Sequence, residues 1–369
     1  MITKRLYFLD AVRAFAILMM LQGHFIDSLI DPIYRNLENP FYATWNYFRG
    51  ITAPTFYTIT GLVFCYLLFK AKEKGDTQKR IKKGLSRGLM LILVGYSLRI
   101  NFIAWLFGYF DTYFLVIDVL QCIGLSLILI IGFYWLLGKS KTHLALFFLI
   151  LGTIIFLTEP LYRTISFPEL PLFLSNYLSK SNGSVFTMIP WFGYVAYGGF
   201  IAALMHKYQN AKQFRLVTTG LFLILGLLFV FASTPFLRQL TVLTDIQLFA
   251  DSGNYNYLFS RLGNVLVIFA LFFGAEPFLK QSIITKIGQK TLSIYIIHFI
   301  IIYGSYTGFG LKSFFYKSLT PTEAVLGAIM FMVVVCFISF HYVKTNKFVY
   351  NYLGKLVGIF KKNQTIDED

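Results

Sequence analysis

Arg13 and His24 lie in the first long apolar run of the chain, Leu9-Asp10-Ala-Val-Arg13-Ala-Phe-Ala-Ile-Leu-Met-Met-Leu-Gln-Gly-His24. On a helix their spacing amounts to roughly three full turns, so both project from one face, about 16 Å apart along the axis. Asp10 precedes Arg13 by three residues and Asp27 follows His24 by three, which gives each a charged neighbour within helical reach. An imidazole serves as a general base at neutral pH, and a carboxylate on its other ring nitrogen would set the tautomer. A deep guanidinium suits a phosphate or pyrophosphate, or pins a carboxylate such as Asp10. The residues also admit a structural alternative, with Asp10–Arg13 an ion pair at one interface and His24 a satisfied polar group near the other.

These side chains need a frame, and the composition describes it. The chain has 369 residues, 57% hydrophobic and 14% charged, with a mean hydropathy of +0.65. That excludes an ordinary water-soluble enzyme and intrinsic disorder. A bilayer core about 30 Å thick takes about 20 apolar residues of helix. Ten segments qualify: 6–27, 50–69, 86–107, 114–137, 142–158, 186–205, 214–233, 258–279, 288–306 and 321–343. They lack the alternation of barrel strands. We therefore expect an all-α, polytopic membrane bundle of about 10 transmembrane helices. It would form a single transmembrane domain over 1–345, with a short basic and polar tail over 346–369. The first segment carries Asp10, Arg13, His24 and Asp27 and has no small-residue cleavage site, so it is not expected to be a removed signal peptide.

The net charge of +16 fits this frame. With the N-terminus in the cytoplasm, 23 of the 33 basic residues fall in cytoplasmic segments, eight of them within 70–87. That is the bias expected of an N-in, C-in protein, and it removes the main support for a nucleic-acid role. The 70–87 run also has the character to attract anionic lipid head groups or the phosphates of a donor. The three cysteines lie in apolar stretches and show no metal-ligand spacing, so no metal is expected.

Ionisable groups at membrane depth usually face the bundle interior and mark function. Arg49, Thr52, Arg99, Asp118, Gln121, Arg261, Tyr295 and His298 fall on the same half of the bundle as His24. Together they suggest a polar pocket for a hydroxyl-rich ligand, although each also suits an inter-helix hydrogen bond.

The Leu9-Asp10-x-x-Arg13-x10-His24 pattern resembles the transmembrane acyltransferase superfamily, which includes the acyltransferase-3 O-acetylases and the heparan-alpha-glucosaminide N-acetyltransferase family. Later stretches are similar to the second group: Gly50-x-Thr52 with Pro54-x-Phe56-x-x-Ile59-x-Gly61, Val119-Leu120-Gln121-x-x-Gly124, Ile189-Pro190-Trp191-x-Gly193-Tyr194, and Gly288-x-x-Thr-Leu292-Ser-Ile-Tyr295-x-x-His298. The human-type enzyme carries an extra span and a large lumenal domain, so acceptor binding transfers least.

The resemblance implies transfer of an acyl group, typically acetyl, from cytoplasmic acetyl-CoA to a hydroxyl or amine of an extracytoplasmic carbohydrate or glycoconjugate. His24 would be the catalytic base or a transient acyl carrier, with Asp27 and Arg13 completing the catalytic set. Arg13, Asp10 and Arg49 would serve the donor. Thr52, Arg99, Asp118, Gln121, Arg261, Tyr295 and His298 would form the acceptor pocket. The expected setting is a bacterial-type inner or plasma membrane, with the lipid bilayer, acetyl-CoA and the carbohydrate as partners and a homo-oligomer left open. The alternative is a multi-span transporter or flippase whose polar path runs through Arg13 and His24.

Overall fold

The structure is a computed structural model that describes residues 6–254, 257–280 and 282–341. The expected tail, 346–369, lies outside the described residues. Each of the ten expected segments contains a helix, and no strand occurs among the described residues. We number the ten α1 (Tyr7–Leu29), α2 (Thr52–Glu73), α3 (Thr77–Ser97), α4 (Val119–Leu136), α5 (Lys141–Leu157), α6 (Met188–Tyr208), α7 (Phe214–Phe231), α8 (Leu258–Gly274), α9 (Thr291–Tyr303) and α10 (Pro321–His341). The architecture is the expected helical membrane bundle.

Among the described residues, six helical stretches are long and apolar enough to cross a membrane. They are α1, the Pro40–Glu73 stretch containing α2, Thr112–Leu136 containing α4, α6, α7 and α10. Gln247–Asn254 and α8, bent by 54°, make a seventh if taken together. The third expected segment, 86–107, is displaced. Its helix begins at Thr77, so the basic residues Lys79, Arg80, Lys82 and Lys83 occupy its first two turns, and it ends at Ser97. The ninth, expected over 288–306, is split into Ile283–Gln289 and the 13-residue α9. Gly304 ends α9 with a left-handed φ of 68°, which glycine adopts freely.

α1 runs through the middle of the bundle. Phe8, Val12, Ala16, Ile17 and Leu21 are almost wholly buried, and the helix packs on α2, α8, α9 and the Ile283–Gln289 turn. A helix that is apolar nearly all round is a core element. The carboxylate of Glu276 caps its first turn by accepting from the Phe8 N–H at 3.5 Å. Two close approaches fix the frame. A Cβ on Gly61 would fall 1.9 Å from the Val195 carbonyl oxygen, and one on Gly198 2.0 Å from that of Thr58. Only glycine therefore allows α2 and α6 to cross so closely.

Candidate active site

α1 and α2 run antiparallel, which gives the site two ends. At one end Asp10 and Arg13 share a cavity of about 470 Å³ with Lys70, Lys74 and Asp76 from the end of α2. At the other, His24 and Asp27 share a cavity of about 270 Å³ with Arg49, Gly50 and Thr52, which precede and open α2. Between them lies a cavity of about 130 Å³ lined by Arg13, Arg80, Arg87, Thr60 and Tyr295. The middle cavity shares Arg13 and Val63 with the Asp10 cavity, and Met20, Phe56 and Val119 with the His24 cavity. The three form a continuous row along α1, as the common face of Arg13 and His24 requires.

The Arg13 end is strongly cationic. The Arg13 guanidinium reaches Asp10 at only 3.9 Å. Arg80 lies 5.0 Å over the Phe64 ring, and its Nε is buried without a hydrogen-bond partner. Among the described residues no carboxylate forms an ion pair with Arg80 or Arg87. Among the described residues, three guanidiniums line this one small cavity and no Asp or Glu does, which makes it a site for an anion.

The His24 end is built differently. His24 Nδ1 lies 3.0 Å from the Tyr303 hydroxyl, and its ring stacks on His298 with centroids 5.4 Å apart. His24 is half-buried and opens to the cavity; His298 is fully buried, and neither of its ring nitrogens has a hydrogen-bond partner in the structure. Asp27, expected beside His24, instead forms an ion pair with Arg49, whose stem crosses α1 over Gly23. The tautomer partner is therefore a tyrosine rather than the carboxylate that the spacing suggested. Asp27 turns away because the opening of α2 brings a full positive charge to it.

The remaining candidates separate by role. Arg49, grouped by the sequence with Arg13 and Asp10, belongs to the opposite end because α2 is antiparallel to α1. Arg99 and Asp118 form a buried ion pair at 2.9 Å. Asp118 caps α4 in a reciprocal box with Gln121, whose Oε1 accepts from the Asp118 N–H at 3.2 Å. The Gln121 Nε2 stays buried without a partner. Tyr295 lines the Arg13 cavity, whereas His298, one turn later on α9, meets His24. Thr52 lines the His24 cavity with its hydroxyl unpartnered. Arg261 does not line that cavity. Its guanidinium rests on Gly50, where a Cβ would fall 1.4 Å from Nη1, and lies 5.9 Å from the Tyr47 ring centroid.

Sequence reasoning missed Tyr303, and it read Arg80 and Arg87 only as part of a basic run. Tyr303 is 279 residues from His24, so only the fold brings them together. Arg80 and Arg87 are seven apart on α3, a helical repeat that signals a shared face.

Residues 5–241 match the family model of the heparan-alpha-glucosaminide N-acetyltransferase catalytic region. The chain belongs to that family. It is accordingly an integral membrane acetyltransferase, in a family that in general uses acetyl-CoA. The matched stretch holds Arg13, His24, Arg80, Arg87 and Gln121, while Arg261, His298 and Tyr303 lie beyond it. No curated protein sequence matches the chain.

Proposed function

We propose that this protein transfers an acetyl group from acetyl-CoA on the cytoplasmic side to a hydroxyl or amine of a carbohydrate or glycoconjugate on the other side. The observation that carries this is the row of three cavities joining the Arg13 cluster to His24. The guanidiniums of Arg13, Arg80 and Arg87 would hold the donor's phosphates, and the narrow middle cavity suits its slender pantetheine arm. That arrangement would bring the thioester toward His24.

His24 then acts as the general base. Its Nε2 takes the proton of the acceptor hydroxyl or amine as the acceptor attacks the thioester carbonyl, and the carbon–sulfur bond breaks to release the thiolate. Nδ1 keeps its proton on the Tyr303 oxygen, so the imidazolium formed at that moment is stabilised. The hydroxyl of Thr52, which lines the His24 cavity without a partner, is available for the acceptor or the developing oxyanion. The bias of basic residues toward the Arg13 end supports the cytoplasmic assignment of that end.

The test uses membranes carrying the protein and acetyl-CoA labelled in the acetyl group. Label is expected to move to host glycans with the wild type and not with His24→Ala, which should still insert and fold. Transfer by His24→Ala at the wild-type rate, or transport of an acceptor with no movement of label, would overturn the proposal.

A further inference from the structure

α6 and α7 are joined by residues 209–213 alone, and so short a connection normally makes neighbours that pack as a hairpin. These two diverge. α6 packs chiefly on α2 and α5, and α7 chiefly on α8. The wedge between them is a groove of about 440 Å³ whose walls include Phe200 and Leu204 of α6 and Val217, Leu221 and Leu225 of α7. Leu204, Leu221 and Leu225 are between 42% and 52% exposed. The lining residues of α7 run from Phe214 to Phe229, about 22 Å along its axis, which is the scale of a single extended lipid chain.

One end of the groove is chemically distinct. Tyr208 and Lys212 close it, and the Lys207 ammonium lies 4.9 Å over the Tyr208 ring. Among the described residues no Asp or Glu lines the groove. The nearby Arg215 is paired with Glu276 at 3.6 Å, which leaves the two lysines to set the charge. A long apolar slot crowned by cations at one end complements a chain with an anionic head.

We propose that the groove is a binding site for an anionic phospholipid, with one acyl chain between α6 and α7 and its phosphate between Lys207 and Lys212. The proposal is independent of the acetyl-transfer site, since none of these residues lines the three cavities along α1.

Delipidated protein in a non-ionic detergent, titrated with phosphatidylglycerol or phosphatidylcholine and followed by native mass spectrometry, tests it. The wild type should retain one phosphatidylglycerol per chain in preference to phosphatidylcholine. Lys207→Gln with Lys212→Gln should weaken phosphatidylglycerol binding roughly thirtyfold, the factor for two lost lysine–headgroup contacts, and weaken phosphatidylcholine, whose choline offsets its phosphate, by much less, so that the preference between the two lipids is lost. Leu221→Trp or Val217→Trp should block either lipid, with the thermal unfolding of the lipid-free protein serving as the folding control. Equal binding of the two lipids by the wild type, binding that survives both tryptophan variants, or a dimer that forms in place of lipid retention would each overturn the proposal.

Discussion

Replacing Tyr303 by Phe removes one oxygen and leaves the aromatic packing in place, so it isolates the hydrogen bond to His24. That bond spans 3.0 Å in a half-buried setting. When His24 takes the acceptor proton, the contact becomes a hydrogen bond to a charged group, for which losses run at about 1.5–3 kcal/mol. At about 1.4 kcal/mol per decade, kcat should fall roughly 10- to 100-fold, with little change in the KM for acetyl-CoA. The rate is read as thiol release from acetyl-CoA in membranes supplied with acceptor glycan. Because Tyr303 acts only through His24, Tyr303→Phe combined with His24→Ala should be no slower than His24→Ala alone. An unchanged kcat for Tyr303→Phe, or losses that multiply in the double variant, would refute the positioning role. The first result would mean that the tyrosine only packs against the ring, and the second that it acts on the substrate directly.

Other perturbations address other parts of the site. Arg87→Gln should raise the KM for acetyl-CoA about tenfold, the effect of one lost charge-assisted hydrogen bond, while kcat at saturation stays near the wild-type value. Arg99→Met strands Asp118 in a setting where the two side chains are only 10% and 15% exposed. It should cost about 3 kcal/mol in unfolding measurements, and adding Asp118→Asn should recover much of that. Gly50→Ala sets a Cβ 1.4 Å from Arg261 Nη1, so the guanidinium must leave its seat. Because Arg261 lines none of the three cavities, Gly50→Ala and Arg261→Met should lower the thermal unfolding temperature alike while the donor KM stays constant. Gly288→Ala pushes a Cβ to 1.8 Å from the Asp10 carbonyl oxygen and should lower the thermal unfolding temperature through an overpacking cost of about 1–3 kcal/mol.

The sequence revealed the part of this fold that is periodic. Arg13 and His24 repeat on one face of α1, and apolar length marked all ten helices, because both follow from residue spacing along a single element. The helix ends were harder. α3 starts nine residues before the expected segment because its basic first turns read as a loop on hydropathy alone, although lysine and arginine are good helix formers. Contacts between elements were hardest. Asp27 was assigned to His24 by its i+3 spacing, yet the arrival of Arg49 from a neighbouring helix claims it. Tyr303 reaches His24 through the packing of α9 on α1, which no local pattern encodes. Asp118 and Gln121 were read as pocket residues, and much of their bonding capacity goes into capping α4 and pairing with Arg99.

The distribution of charge along α1 explains why one helix serves both ends of the proposed reaction. A cluster of guanidiniums costs a few kcal/mol per charge at membrane depth unless an anion joins it, so the Arg13 end is in its best state when a phosphorylated donor occupies it. At His24 the charges of Arg49 and Asp27 already offset each other, and beside them stand the neutral groups of Tyr303, His298 and Thr52. Such groups favour a neutral, hydroxylated ligand and leave the base free of a fixed counter-charge. Held on one helix, about 16 Å apart, the two environments cannot drift relative to each other. A donor gripped by its charged end would therefore present its reactive end at a fixed depth.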